Sequence, residues 1–121
     1  MRRAKLLMAI GALLVAGGML ANLPIAAAQG QTVRINMKAS QYKFTPDTIR
    51  VKAGTQVEVH LVSTDVPHGF AIQALNVNAT VVPGKETVVR FTPAKAGTYP
   101  FICSVVCGPG HLDMKGQLIV E

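Results

Sequence analysis

The sequence predicts an all-β domain, a sandwich of two sheets in which antiparallel pairs predominate. Three observations carry that reading. From Thr32 onward apolar and polar residues alternate with a period of two, turn signals interrupt the alternation at short intervals, and no stretch of useful length keeps a helical period. Strands that follow one another so closely in a single small domain have to bury one face each, and two stacked sheets are the simple way to do so.

The elements follow in order. Residues 1–28 stand apart: Arg2, Arg3 and Lys5 precede a run over residues 6–28 without any charge, which closes on Ala26-Ala27-Ala28, a small-x-small cleavage pattern. That composition predicts export, through a signal peptide or a single retained membrane anchor. The apolar run exceeds a signal core of roughly 7–15 residues and nears the roughly 17–25 that span a bilayer, while Asn22 and Pro24 weigh toward cleavage. The basic end stays in the cytoplasm either way. Residues 29–121 then form the one domain that a chain of 121 residues allows.

In "TVRINMK", Val33, Ile35 and Met37 alternate with Arg34, Asn36 and Lys38, a half-buried strand with Met37 as core filler. "QVEVHLVS" repeats the parity, with Val57, Val59 and Leu61 on one face and Glu58 and His60 on the other, so His60 reads as a solvent-facing strand histidine. Thr87, Val89 and Phe91 follow suit, as do Tyr99, Phe101 and Cys103, and "GQLIVE" closes the domain. Between these runs stand Thr45-Pro46-Asp47, Ala53-Gly54, Pro83-Gly84, Ala96-Gly97 and Gly108-Pro109-Gly110.

Charge excludes one class of partner. The formal net charge is +6, but without Arg2, Arg3 and Lys5 nine basic residues face six acidic ones, a balance of +3. The remaining Lys and Arg are scattered singly with few aromatic neighbours, which speaks against nucleic acid. Asn78-Ala79-Thr80 matches a glycosylation acceptor, a pattern too short to carry an assignment.

Chemistry concentrates in "CSVVCGPGHLDM", residues 103–114, which hold both cysteines, His111 and Met114. Cys103 ends its strand, so its sulfur leaves the sheet at the rim. His68, in "STDVPHGF", and His111 fall in loops between strands, and loops at one end of a sandwich can converge. Three readings fit this donor set. Two cysteines in an exported protein form a disulfide by default, although a bridge across three residues restrains little of the unfolded chain and leaves both histidines and Met114 unexplained. Two Cys and two His satisfy a tetrahedral zinc ion, for which a thioether is a poor donor. Copper accepts thiolate and imidazole with a weak axial methionine.

The pattern Cys103-x3-Cys107-x3-His111-x2-Met114, preceded by "DVPHGF", resembles the dinuclear copper A (CuA) domain of cytochrome c oxidase subunit II, a cupredoxin fold also found in nitrous oxide reductase. "FTPDTIRVKAG", "VVPGKETVVRFTPAKAGTYPFIC" and "CGPGHLDMKGQLIVE" are similar to the family's early strand pair, its middle, and its ligand loop with the last strand. The resemblance implies a cupredoxin-like Greek-key β-sandwich holding two copper ions. Cys103 and Cys107 would bridge them, and His68 and His111 would cap one each. Met114 would stand axial to the ion held by His68, with the Val105 carbonyl in the matching place on the other.

It further implies an electron-transfer protein of the periplasm or the outer face of the cytoplasmic membrane. Its donor would be a cytochrome or small copper protein, and it would serve haem-copper oxidase subunit I or act as a freestanding carrier, with catalysis left to the partner. A mononuclear cupredoxin and a copper-delivery protein are the alternatives. Two departures matter. Val105 replaces an acidic residue common in the family, which removes a docking contact and a magnesium bridge but leaves a carbonyl for copper; and the acidic surface is thin, so an acidic or neutral partner, or apolar contact, suits the chain better than a basic cytochrome. Tyr42 and Phe44 stand where the family places aromatic residues near the copper loops, with packing as the plainer role. Asp65 and Pro67 are expected to shape and tether the His68 loop.

Overall fold

The computed structural model describes residues 31–121, so the signal peptide or anchor expected over residues 1–28 lies outside the described residues. Among the described residues nine strands form two sheets: β1 (Thr32–Ser40), β2 (Lys43–Thr45), β3 (Thr48–Val51), β4 (Gln56–Ser63), β5 (His68–Ile72), β6 (Val77–Val81), β7 (Thr87–Phe91), β8 (Gly97–Ile102) and β9 (Lys115–Val120). One sheet has the order β2-β1-β4-β7 and the other β3-β9-β8-β5-β6, a Greek-key sandwich. Single turns of 3-10 helix occupy Gln73–Leu75 and His111–Asp113.

The expected alternation holds in β1, where Met37 and Ala39 are buried and Lys38 between them is exposed, and in β4, where Val57, Val59 and Leu61 point into the core. Antiparallel pairings predominate, five against two, but the longest register is parallel: β1 runs beside β4 from Thr32↔Gln56 to Ala39↔Ser63. The reason is the crossing between sheets. After β2 the chain leaves for β3, which pairs parallel to β9, and it returns to the first sheet travelling in its original direction.

Strand β5 is the exception, with no legible alternation. The five residues of β5, His68 to Ile72, are all buried, so its two faces do not differ in polarity. In β8, Pro100 cannot donate to a ladder, and β8 meets β5 in register only at Ala71↔Ile102 while pairing with β9 over six residues.

Three aromatic rings fill the end of the core that adjoins the ligand loop. Phe44 meets Phe70 and Phe101 edge-on at 5.8 and 5.3 Å, and Phe70 and Phe101 lie 5.0 Å apart. Phe70 is two residues beyond His68, and Phe101 two before Cys103. The strand period therefore puts His68 and Cys103 on the inward side, above this cluster. Phe44 is core packing rather than rim.

Candidate metal centre

The site is assembled by β5, by the end of β8 and by the loop that leads from β8 into β9. Cys103, the first residue after β8, and Cys107 are both free thiols, and their sulfurs lie 3.5 Å apart, well beyond the roughly 2.05 Å of a covalent bridge. The disulfide alternative is thus not the arrangement adopted. His68 Nδ1 stands 3.9 Å from Cys103 Sγ, and its ligand atom and both sulfurs lie within 4.8 Å of one another. His111 Nδ1 is 3.7 Å and Met114 Sδ 3.8 Å from Cys107 Sγ, and the Cys103 thiol donates to the Val105 carbonyl over 3.1 Å. All six residues singled out in the sequence meet at one rim.

Burial is graded across them. His68 is 0% exposed, Met114 1%, Cys103 3% and Cys107 6%, whereas His111 is only half-buried, on its 3-10 turn. His68 opens β5 rather than lying in a loop, because the ladder with β6 begins at His68↔Val81. Gly69 allows the close approach that follows. A Cβ there would fall on Ser104 Oγ and within 2.7 Å of the Val105 nitrogen, while the Gly69 N–H donates to Cys103 Sγ over 3.4 Å.

Electrostatics prepare the donors. Asp65 Oδ1 lies 2.7 Å from His68 Nε2, and the carboxylate also accepts from the main-chain N–H of Gln41 and of Val66, each at 2.7 Å. Burial works to raise the Asp65 carboxyl, but the hydrogen bonds from Gln41, His68 and Val66 outweigh it and hold the group below the usual carboxylate range. An ionised carboxylate only accepts, so Nε2 carries the imidazole proton and Nδ1 keeps its lone pair toward Cys103 Sγ. This bears out the tethering role expected of Asp65. Burial, reinforced by Cys103 beside it, pushes the Cys107 thiol up to about 11, so the metal-free site holds that thiol protonated.

The site has further supports that the sequence reading did not identify. Gln41 Nε2 donates to the Cys107 carbonyl over 2.7 Å, and Ser104 Oγ donates to Asn78 Oδ1 over 2.7 Å, tying β6 to the ligand loop. A glutamine in a turn and a serine between Cys103 and Val105 carry no pattern that sequence reasoning could find. Tyr42 is partly buried against this loop, where a Cβ on Gly110 would lie 2.6 Å from its ring. Among the described residues no helix is long and apolar enough to cross a membrane.

Soft donors kept unbridged at the rim of a Greek-key sandwich define a class, the β-sandwich domain fit to hold a soft metal ion. Within that class the chain belongs to the cupredoxin-like family, whose domain model matches residues 7–120. It is 36% identical over 83 residues, 69% of its own length, to cytochrome c oxidase subunit 2 of Thermus thermophilus, and covers 62% of that protein. Against the same-named protein of a second Thermus thermophilus strain the identity is again 36%, and the chain spans 49% of its length. Among solved structures, a chain of a heme-copper terminal oxidase dimer matches with a TM-score of 0.71 and 30% identity, over 75% of this chain and 65% of that one. The His and Cys cluster is compatible with copper binding for electron transfer, as the homology to the subunit II domain implies.

Proposed function

We propose that this domain holds two copper ions in a thiolate-bridged CuA centre and relays single electrons outside the cytoplasm, as the electron-accepting subunit of a terminal oxidase or a freestanding carrier. One observation carries the reading: two free, buried sulfurs 3.5 Å apart, each with an imidazole nitrogen of its own at 3.9 and 3.7 Å. A mononuclear blue-type site takes one thiolate and would leave the second cysteine without a task. Copper would supply one-electron redox chemistry in which no bond is made or broken.

The residues have separable roles in this reading. Cys103 and Cys107 supply the shared sulfurs, and His68 and His111 the two nitrogens. Met114 and the Val105 carbonyl are weaker donors at the periphery. Asp65 fixes the His68 tautomer, and the wall of Phe44, Phe70 and Phe101 keeps water from the inner side. His111 is the exposed edge. Val106 and Leu112, which flank Cys107 and His111 in the chain, are 81% and 86% exposed, an apolar surface suited to docking a cytochrome or small copper protein as donor and, on the oxidase reading, haem-copper subunit I. The resemblance to subunit II, whose periplasmic domain from Bradyrhizobium japonicum shares the fold with a TM-score of 0.68 at 22% identity, over 74% of this chain and 83% of that one, supports an extracytoplasmic site.

A second reading rests on its own observation. His68, Cys103 and Cys107 alone offer three ligand atoms within 4.8 Å of one another, enough for one ion in a mononuclear or copper-delivery site. Electron paramagnetic resonance of the oxidised, copper-loaded chain, with metal counted per chain, separates the two. Hyperfine structure from two equivalent nuclei supports the bridged pair, and a single-nucleus pattern at one copper per chain overturns it. Cys103→Ser should abolish the two-nucleus signal while one copper stays with Cys107, His111 and Met114.

A further inference from the structure

Gln41 touches both halves of the ligand set without contributing a ligand atom. Its main-chain N–H donates to Asp65 Oδ2 over 2.7 Å, and Asp65 in turn holds His68 Nε2 over 2.7 Å. Its side-chain amide reaches the other way, donating to the Cys107 carbonyl over 2.7 Å. These partners lie 24 and 66 residues away in sequence, Asp65 between β4 and β5 and Cys107 between β8 and β9. Gln41 sits in the turn between β1 and β2, so it is anchored on the first sheet while both ligand segments belong to the second.

The contact is close as well as polar. A Cβ placed on Gly108 would lie 2.8 Å from Gln41 Nε2 and 2.5 Å from Tyr42 Oη, and Gly108 holds φ at +138°, where a side chain is strained in any case. The turn is pressed against the main chain immediately after Cys107. Losing the amide would leave the half-covered carbonyl without its protein donor and free the segment that carries both Cys107 and His111.

We propose that Gln41 is a positioning residue of the metal centre, a brace from the first sheet that sets the place of Cys107 relative to His68. The proposal rests on reading this rim as a metal site, and it deepens that reading by adding a residue that governs the geometry of the sulfur pair. Loss of the amide should alter the centre's spectrum more than it alters the stability of the fold, because a single hydrogen bond contributes on the order of 0.5–1.5 kcal/mol while thiolate placement decides the electronic structure.

The test compares the full chain with Gln41→Leu, which keeps the main-chain donor and removes the amide. In the metal-free protein, iodoacetamide should alkylate Cys107 about two- to tenfold faster in the variant, the change that one lost hydrogen bond gives to local opening. In the copper-loaded protein the hyperfine pattern and visible bands should shift with copper per chain unchanged. A parent-like alkylation rate, or a parent-like spectrum even with a lowered melting temperature, overturns the proposal. Gln41→Met, unbranched and equally without a donor, serves if the leucine variant does not fold. Should the parent itself show a single-nucleus pattern, the two-copper reading falls, while the parent-to-variant comparison still judges Gln41.

Discussion

Asp65 and Gly69, on either side of His68, show how much of the site depends on residues that hold no metal. Asp65 selects the imidazole tautomer by accepting from Nε2. Asp65→Ala removes the acceptor shared by His68, Gln41 and Val66, and metal affinity measured by competition with a chelator should fall about 10- to 100-fold, the usual cost of losing such an orienting partner. Gly69→Ala would push a methyl into Ser104 and the Val105 nitrogen. Overpacking of this kind costs about 1–3 kcal/mol, and because the strain falls on the ligand loop, copper retention should drop together with the urea midpoint. An unchanged midpoint with full copper retention would show that the loop can yield.

At the scale of the strand, β4 carries a correction. His60 does face away from the core, as its parity requires, yet it is only 9% exposed. Glu86, just before β7, lies 2.8 Å from Nδ1 and Glu58 2.6 Å from Nε2, and Arg90 on β7 completes the chain by donating to Glu58 over 3.1 Å. Strand alternation assigns a face but cannot tell whether neighbouring side chains close over it. Glu86 and Glu58 raise the His60 imidazole above 6.5 against burial and against the nearby Arg34, while His60 holds Glu58 below 4.5 with help from Arg90.

The signs are opposite at the two ends. The raised imidazole contributes stability that is fully present below about pH 6.5 and is lost as pH rises through its folded value, whereas the lowered Glu58 contributes stability present above 4.5 and lost as pH falls through its own. Urea midpoints of the metal-free chain should therefore decline as pH rises above about 6.5 and through the raised folded value of the imidazole. His60→Gln, which cannot become charged, should flatten that decline. A parallel decline in the variant would mean that other groups control it.

For the molecule as a whole, the metal rim and the core are one packed unit. Phe101, 0% exposed and in contact with both other rings of the aromatic cluster, stands two residues before Cys103. Phe101→Ala should cost about 3–5 kcal/mol and speed copper loss to a chelator, since the cavity would open directly beneath the ligands. Normal copper retention in a destabilised variant would separate core from site. A bound metal should in turn stabilise the fold, by about 2.7 kcal/mol at a free concentration one hundred times the dissociation constant.

The chain by itself determined that the fold is a two-sheet β-sandwich and which residues are candidate ligands. The period of two in β1, β4 and β7 is a local property of which side chains can face water, and Cys103, Cys107, His111 and Met114 lie close enough in sequence for spacing to carry their chemistry. His68 was legible as one of the two histidines placed in loops between strands, and "DVPHGF" then matched the family pattern. Tertiary structure alone decided the parallel pairing of β1 with β4, the buried strand β5, the closing of Glu58 and Glu86 over His60, and the reach of Gln41 across to Cys107. Each of these depends on segments far apart in sequence being brought together by the crossing between sheets, and no local alternation or spacing records such a meeting.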